Sequence, residues 1–198
     1  MTLLHTEQDA EQITPDQPQQ RLREAKFTNE IGVPRIGVGV FVLNSHNEFI
    51  FGRRKGSHGN GTWALPGGHL ELHESFEDCA RREAMEEIGM EIEDVQFLTA
   101  TNSPWIDGSK HYVTIFVVSR PKVEGSQPTL LEPEKCYGWQ WMRWEELLAW
   151  HKKGKEVPGS DDEQGQGRER ELFEPMTALI EQRAGVRPVL QRSLNSLG

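Results

Sequence analysis

The chain has 198 residues, 35% of them hydrophobic, and a formal net charge of −9 at pH 7. This length fits one domain of about 150 residues with additional ends. The acidic balance excludes a general affinity for polymeric nucleic acid, which requires a basic surface. An acidic protein that handles phosphate must supply positive charge locally, from a metal ion and a few Arg or Lys side chains.

The two ends of the chain and one internal segment are polar. Residues 1–33 contain few large apolar side chains, so they cannot bury enough surface to offset the entropy of ordering. The sequence predicts a disordered tail there and a folded domain over residues 34–183. It also predicts a flexible, Gly-rich insertion at 152–168 and a C-terminal tail at 184–198.

The sequence shows no secretory h-region within residues 1–30 and no apolar run long enough to span a membrane. The two cysteines, Cys79 and Cys136, are therefore expected to be reduced. We expect a cytoplasmic protein, with the nucleus as an alternative, that does not associate with membranes.

Apolar periodicity predicts strands alternating with helices. Strands at 36–43 and 49–52 flank a polar turn, which indicates a hairpin. Residues 75–89 are the clearest helix, because Ser75 and Asp78 form a capping box and Gly89 supplies a stop. The remaining predicted elements are strands at 95–100, 112–119 and 137–141 and helices at 144–150 and 169–183. This order indicates an α/β or α+β sandwich.

Three carboxylates crowd one face of the helix predicted at 75–89. Glu83 and Glu87 lie one turn apart with Glu86 beside them, so they repel one another unless a cation neutralises them. Mg²⁺ suits this role, because it binds a few carboxylates while keeping waters and phosphate oxygens. The alternative is a solvated amphipathic helix whose glutamates serve only solubility. The tight loop at Gly67-Gly68 before the helix favours the catalytic interpretation, because its backbone can approach metal and phosphate closely.

Arg53-Arg54-Lys55 is the only basic triplet in the sequence. Alternation along a strand sends Arg53 and Arg54 to opposite faces, so at most one of them reaches the carboxylates. We predict Arg54 as the phosphate contact. The alternative is an ordinary strand end that faces solvent.

The stretch from residue 68 to residue 90 resembles the Nudix box, the signature of the Nudix family. The matching positions are Gly68, Glu74, Arg82, Glu83, Ala84, Glu86, Glu87, Gly89 and Met90. The resemblance implies an α/β fold, namely an α/β/α sandwich with a mixed central sheet. It implies Mg²⁺ as cofactor, with Mn²⁺ as an alternative, and Glu83, Glu87, Glu86 and Gly68 as its ligands.

Residues outside the box resemble the nucleoside-triphosphate diphosphatase branch of that family, which includes the mammalian thiopurine-nucleotide hydrolase. The matches lie at 37–40, 54–57, 65–71, 111–115, 132–136, 139–141 and 144–147. The resemblance implies release of a nucleoside monophosphate and pyrophosphate. It implies Gly67, Gly68 and Thr114 as substrate contacts and Phe173 as a stacking surface for the base.

Two positions depart from that branch: Ala64 and Glu174 replace base-contacting residues, so we expect a permissive base preference. The general base stays open between Glu86 and Glu134.

Rival interpretations are hydrolysis of ADP-ribose, nucleotide sugars, dinucleoside polyphosphates, inositol pyrophosphates or prenyl diphosphates. An inert binding module is disfavoured because no carboxylate of the box is missing. The expected partner is a small molecule, a nucleotide or another diphosphate. The resemblance also implies that the chain can form a homodimer.

Overall fold

The computed structural model describes residues 33–56, 59–104, 110–156 and 170–190. Residues 1–32 and 157–169, which hold nearly all of the predicted N-terminal tail and most of the predicted insertion, lie outside this range. Contacts divide the chain between Val33 and Pro34, and every element below belongs to the second unit. Within the described ranges, no helix has the length and apolar character needed to cross a membrane.

The described residues form strands and three helices in mixed order. The strands are β1 (Arg35–Val42), β2 (Glu48–Arg54), β3 (Trp63–Ala64), β4 (Gly67–His69), β5 (Ile92–Pro104), β6 (His111–Pro121) and β7 (Cys136–Arg143). The helices are α1 (Phe76–Ile88), α2 (Trp144–Glu156) and α3 (Glu174–Gln182).

The strands build two sheets. The first has the order β4-β1-β6-β5, in which β1 and β6 are parallel and the outer pairs are antiparallel. The second has the order β3-β2-β7 and is antiparallel throughout. The predicted α/β class with a mixed sheet is therefore confirmed.

The hairpin predicted between the first two strands is wrong. Only a single bridge joins Leu43 to Phe49, with the Asn44 N–H donating to the Glu48 carbonyl at 2.9 Å. Beyond that turn the two strands enter different sheets. Strand β1 pairs with β6 along its whole length and with β4 at Gly37–Gly39, whereas β2 pairs with β3 and β7.

Side chains alternate along β1 and so serve two cores. Val38, Val40 and Val42 face α1, where they pack against the apolar stripe of that helix: Ala80, Ala84 and Ile88, with Phe76 partly buried. The opposite face joins the second sheet, α2 and α3 in a core that includes Phe41, Phe51, Phe116, Met142, Leu147 and Met176. This apolar stripe is thus the contact that fixes α1 on the sheet.

Among the boundaries that differ from the prediction, three concern helices α2 and α3 and the C-terminal tail. Helix α2 continues to Glu156, so the segment predicted as an insertion at 152–168 begins as helix. Helix α3 starts at Glu174 instead of residue 169, because Phe173 donates its N–H to the Trp63 carbonyl at 2.9 Å and extends the edge of β3. The predicted C-terminal tail packs on the domain in part: Pro188 is buried and Leu190 contacts the core between the sheets.

Candidate active site

Helix α1 begins and ends at local signals. The Ser75 hydroxyl accepts a hydrogen bond from the Asp78 N–H at 3.0 Å, and Gly89 closes the helix in the left-handed region at φ 62°. The loop before β7 then bonds to the last carbonyls: the Thr129 N–H donates to Ile88 at 2.9 Å and the Leu131 N–H to Glu87 at 3.4 Å. These bonds hold that loop against the end of the helix that carries the glutamates.

The backbone of β4 lies against the carboxylates of α1. The Gly67 N–H donates to Glu87 Oε2 at 2.9 Å. A Cβ on Gly68 would lie 2.8 Å from Glu83 Oε2 and closer still to Oε1, and a Cβ on Gly67 would collide with the Val38 carbonyl. Only glycine allows the backbone this close an approach. We call Gly67, Gly68, Glu83 and Glu87 the carboxylate site.

Arg82 fixes the first of these carboxylates. It donates from Nε to Glu74 Oε1 at 2.8 Å, from Nη1 to Glu83 Oε1 at 2.7 Å and from Nη2 to the His69 carbonyl at 3.1 Å. Its hydrogen bonds hold the pKa of Glu74 at about 2, well below the ordinary range. A longer contact of 3.3 Å reaches Glu86, whose side chain is 54% exposed. Arg82 therefore orients Glu83 and leaves Glu86 at the rim.

Burial dominates the electrostatics of the site. It raises the pKa of Glu87 to about 7, with the charges of Glu83 and Glu132 acting in the same direction and the Gly67 N–H and Arg54 opposing them. Burial also raises the pKa of Glu83. Desolvated carboxylates that repel one another form a site that a cation stabilises.

Arg54 and Phe173, predicted separately as substrate contacts, touch each other. The Arg54 guanidinium carbon lies 4.2 Å from the centre of the Phe173 ring. Burial lowers the pKa of Arg54, and the negative charge of Glu87 raises it. Arg54 therefore lies close enough to Glu87 for their charges to interact. Arg53 faces the other way, over the Tyr137 ring at 5.5 Å. The predicted alternation of the arginines is confirmed, with Arg54 on the side of Glu87.

Thr114 lies one strand beyond the glycines. It pairs in register with Gly37, whose other neighbour in the sheet is His69. A Cβ on Gly37 would lie 3.8 Å from both Thr114 Oγ1 and the Gly68 carbonyl oxygen. Thr114 and Gly68 therefore lie on either side of Gly37.

Sequence reasoning missed two residues of the loop before β7. Glu134, one of the two candidates for the base, is exposed, whereas the Glu132 side chain is only 25% exposed and adds to the negative potential at Glu87. Lys135 Nζ donates to Glu132 Oε1 at 2.7 Å, and its charge also acts on Glu83 and Glu87. The sequence carries no local signal for this choice, because the hydrogen bond from Leu131 to α1 sets which residue turns inward.

The site fits a Mg²⁺ ion that is held jointly with a substrate. Among the described residues, no three His, Cys, Asp or Glu side chains form a preformed cage. Mg²⁺ needs only one or two carboxylates, since waters and substrate phosphates complete its octahedron. Glu83 and Glu87 provide such oxygens, and the glycine cradle that a Cβ would fill brings the Gly68 backbone beside them.

Comparison with known proteins places this fold and site in a family. The model of the NUDIX domain matches residues 33–161, which is more than half of the chain. The chain belongs to the Nudix family.

Individual relatives are more distant. The RNA pyrophosphohydrolase of Shewanella frigidimarina (strain NCIMB 400) is 39% identical over 72 residues, which cover 36% of this chain and 40% of that protein. The matched region thus spans about two fifths of the curated relative. A MutT Nudix hydrolase from Burkholderia pseudomallei superposes with a TM-score of 0.52 at 24% identity, covering 57% of this chain and 85% of that one. The Nudix domain of Shewanella oneidensis NrtR, complexed with ADP ribose, gives 0.54 at 15% identity, covering 82% and 94%. These likenesses confirm the Nudix-type fold.

Proposed function

We propose that this chain is a Mg²⁺-dependent Nudix pyrophosphohydrolase that cleaves a nucleoside triphosphate between its α and β phosphorus atoms. The products are the nucleoside monophosphate and pyrophosphate. The observation that supports this is the carboxylate site itself, where Glu83 and Glu87 meet a glycine backbone beside Arg54 and Phe173. An aromatic ring, a cation and a metal-binding carboxylate pair match the base, phosphates and metal of a nucleotide substrate.

Each residue has a distinct task in this proposal. Arg82 holds the Glu83 carboxylate in place, and the Gly67 N–H does the same for Glu87. Glu83 and Glu87 would hold the Mg²⁺ ion, which would supply charge neutralisation at the phosphates and activation of the attacking water. Arg54 neutralises phosphate charge from the buried side of the site, and the Phe173 ring stacks with the base.

For the general base we propose Glu132, ahead of the two candidates taken from the sequence, Glu86 and Glu134. A base must lie close to the water that it deprotonates. Glu132 is largely buried beside Glu87, whereas Glu134 is exposed and Glu86 lies at the rim. The Lys135 ammonium donates to Glu132 Oε1 at 2.7 Å and so holds that carboxylate in place.

We propose a permissive base preference. Ala64 is buried and offers no polar group to a base, and Glu174 is exposed at the start of α3. Discrimination between bases comes from pairing buried polar groups with the base edge. We therefore expect several triphosphates to be hydrolysed within about tenfold of one another in kcat/KM, a spread of roughly 1.4 kcal/mol.

A second candidate is removal of pyrophosphate from the 5′ end of RNA. It is favoured by the 39% identity over 72 residues to an RNA pyrophosphohydrolase. The net charge of −9 argues against it, because a long RNA backbone binds to basic surfaces. A 5′-triphosphorylated oligonucleotide compared with the free triphosphate distinguishes the two.

The test is an initial-rate panel at saturating Mg²⁺, repeated with Mn²⁺. It contains purine and pyrimidine triphosphates, the RNA oligonucleotide, ADP-ribose, a diphosphoinositol and a prenyl diphosphate. We expect the triphosphates to lead. If any of the other compounds is hydrolysed a hundredfold faster than every triphosphate, the proposed substrate class is wrong.

Variants test the site. Glu83→Gln and Glu87→Gln should each lower turnover by about 10²-fold or more, because each removes a charged metal ligand. Glu77→Gln, in the first turn of the same helix, is the matched control and should keep wild-type turnover. Near-wild-type activity in the Glu83 or Glu87 variant would contradict the assignment.

A further inference from the structure

Lys135 places a cation at the open side of the carboxylate site. Its side chain is 64% exposed, and its charge acts on Glu132, Glu87 and Glu83. Two backbone hydrogen bonds fix the position of Lys135. The Lys135 N–H donates to the Glu132 carbonyl at 2.9 Å, and the Lys135 carbonyl accepts from the Lys55 N–H at 2.7 Å. An exposed cation is thus held over acidic groups by a rigid turn.

Arg54 and Lys135 place positive charge at two differently exposed positions around the carboxylate site. Arg54 is partly buried and lies against the Phe173 ring, whereas Lys135 is open to solvent. The negative charge of Glu87 interacts with the positive charges of both Arg54 and Lys135. A nucleotide has one aromatic end and one polyanionic end. With the base at Phe173 and the bridging phosphates at the carboxylates, Lys135 is an exposed cation beside the carboxylates that remains for the terminal phosphates.

The present partner of Lys135 does not prevent this role. The Lys135 end of this ion pair is 64% exposed, so water screens the pair and it contributes little. A terminal phosphate offers the ammonium more negative charge than one carboxylate does, so the ammonium can turn from Glu132 to a bound phosphate.

We propose that Lys135 binds the terminal phosphate of the substrate and stabilises pyrophosphate as it leaves, an inference that rests on the proposed function. In that step the water oxygen bonds to the α phosphorus while the bond from that phosphorus to the bridging oxygen breaks. The bridging oxygen keeps the electron pair and departs with pyrophosphate, and one water proton passes to a carboxylate and then to solvent. Lys135 neutralises the charge that the leaving group gains.

The test compares Lys135→Gln, Lys135→Arg and the wild type on a nucleoside triphosphate and the diphosphate of the same base. Lys55→Gln is the matched control, since Lys55 Nζ donates to the Pro133 carbonyl in the same loop at 3.0 Å and is exposed. We expect Lys135→Gln to lose about tenfold in kcat/KM on the triphosphate and less than twofold on the diphosphate. Lys135→Arg should recover most of the loss, and Lys55→Gln should change neither substrate.

Binding of pyrophosphate and of inorganic triphosphate, measured by calorimetry with Mg²⁺, is the second readout. Kd should weaken about tenfold in Lys135→Gln and stay unchanged in Lys55→Gln. Equal losses on both nucleotides, with unchanged pyrophosphate binding, would show that Lys135 is only a counterion and overturn the inference. A wild type that hydrolyses no nucleotide would refute the proposed function instead, and the binding of inorganic triphosphate would still decide the role of Lys135.

Discussion

Replacing Gly68 by alanine should abolish most activity while leaving the fold intact. The new Cβ would lie 2.5 Å from Glu83 Cδ and 2.8 Å from Oε2, distances that real Cβ atoms do not tolerate. The carboxylate must therefore retreat by roughly 1 Å, the scale at which misplaced catalytic groups lose about 10²-fold in rate. Glu83 Oε1 also bonds to Arg82 at 2.7 Å, so the retreat weakens that ion pair. Its loss costs about 1 kcal/mol of stability at most, because the Arg82 side chain is partly exposed.

The assay measures kcat/KM for a triphosphate at saturating Mg²⁺ and the melting temperature of the same preparations. Gly37→Ala is the control, because its Cβ would meet nothing closer than 3.8 Å, an ordinary contact. We expect Gly68→Ala to fall at least fiftyfold (roughly the estimate above), and Gly37→Ala to remain near the wild type. Activity of Gly68→Ala within threefold of the control would refute the idea that this glycine exists to admit the carboxylate.

Three further outcomes are expected. Burial raises the folded-state pKa of Glu87 from 4.5 to about 7, so without metal the free energy of unfolding should fall as pH rises from about 4.5 to 7. Urea denaturation in EDTA should show a free energy of unfolding that is lower at pH 8 than at pH 5 by at most about 3 kcal/mol. This difference should disappear in Glu87→Gln. Among the described residues Thr101 Oγ1 is buried without a hydrogen-bond partner, so Thr101→Val should gain about 1 kcal/mol, whereas Thr99→Val, whose hydroxyl is hydrogen-bonded, should not. Glu132→Gln should lower kcat at least tenfold and Glu134→Gln less than twofold (about the range for a positioned general base); equal effects would contradict the choice of base.

The elements that the sequence predicts well depend on neighbours along the chain. Helix α1 is correct to within a residue because Ser75 caps its start and Gly89 its end, both through bonds spanning three or four residues. The same periodicity puts Glu83 and Glu87 on one face and the stripe of Ala80, Ala84 and Ile88 on another. Short-range signals along the chain are therefore enough to predict both the helix and the common face of its carboxylates.

The errors arise where distant pairing decides. Strands β3 and β4 hold two and three residues, too few for any periodic signal, yet β4 carries the glycines of the site. The predicted hairpin is wrong because β1 and β2 each pair with strands that come later in the chain, β1 with β6 and β2 with β7. Glu132 was missed for the same reason, since the bond from the Leu131 N–H to the Glu87 carbonyl joins residues far apart in sequence.

The hydrogen bonds of Arg82 explain why the Nudix box predicts the type of reaction better than it predicts the identity of the substrate. Its guanidinium already donates to Glu74, Glu83 and the His69 carbonyl, so its hydrogen bonds serve the carboxylates and not an incoming phosphate. Positive charge for the substrate must then come from outside the box, and Arg54 and Lys135 are positioned for it. Arg54 ends strand β2 and Lys135 lies in the loop before β7, so neither belongs to helix α1. Under the proposed function, substrate choice therefore depends on residues that the box does not contain.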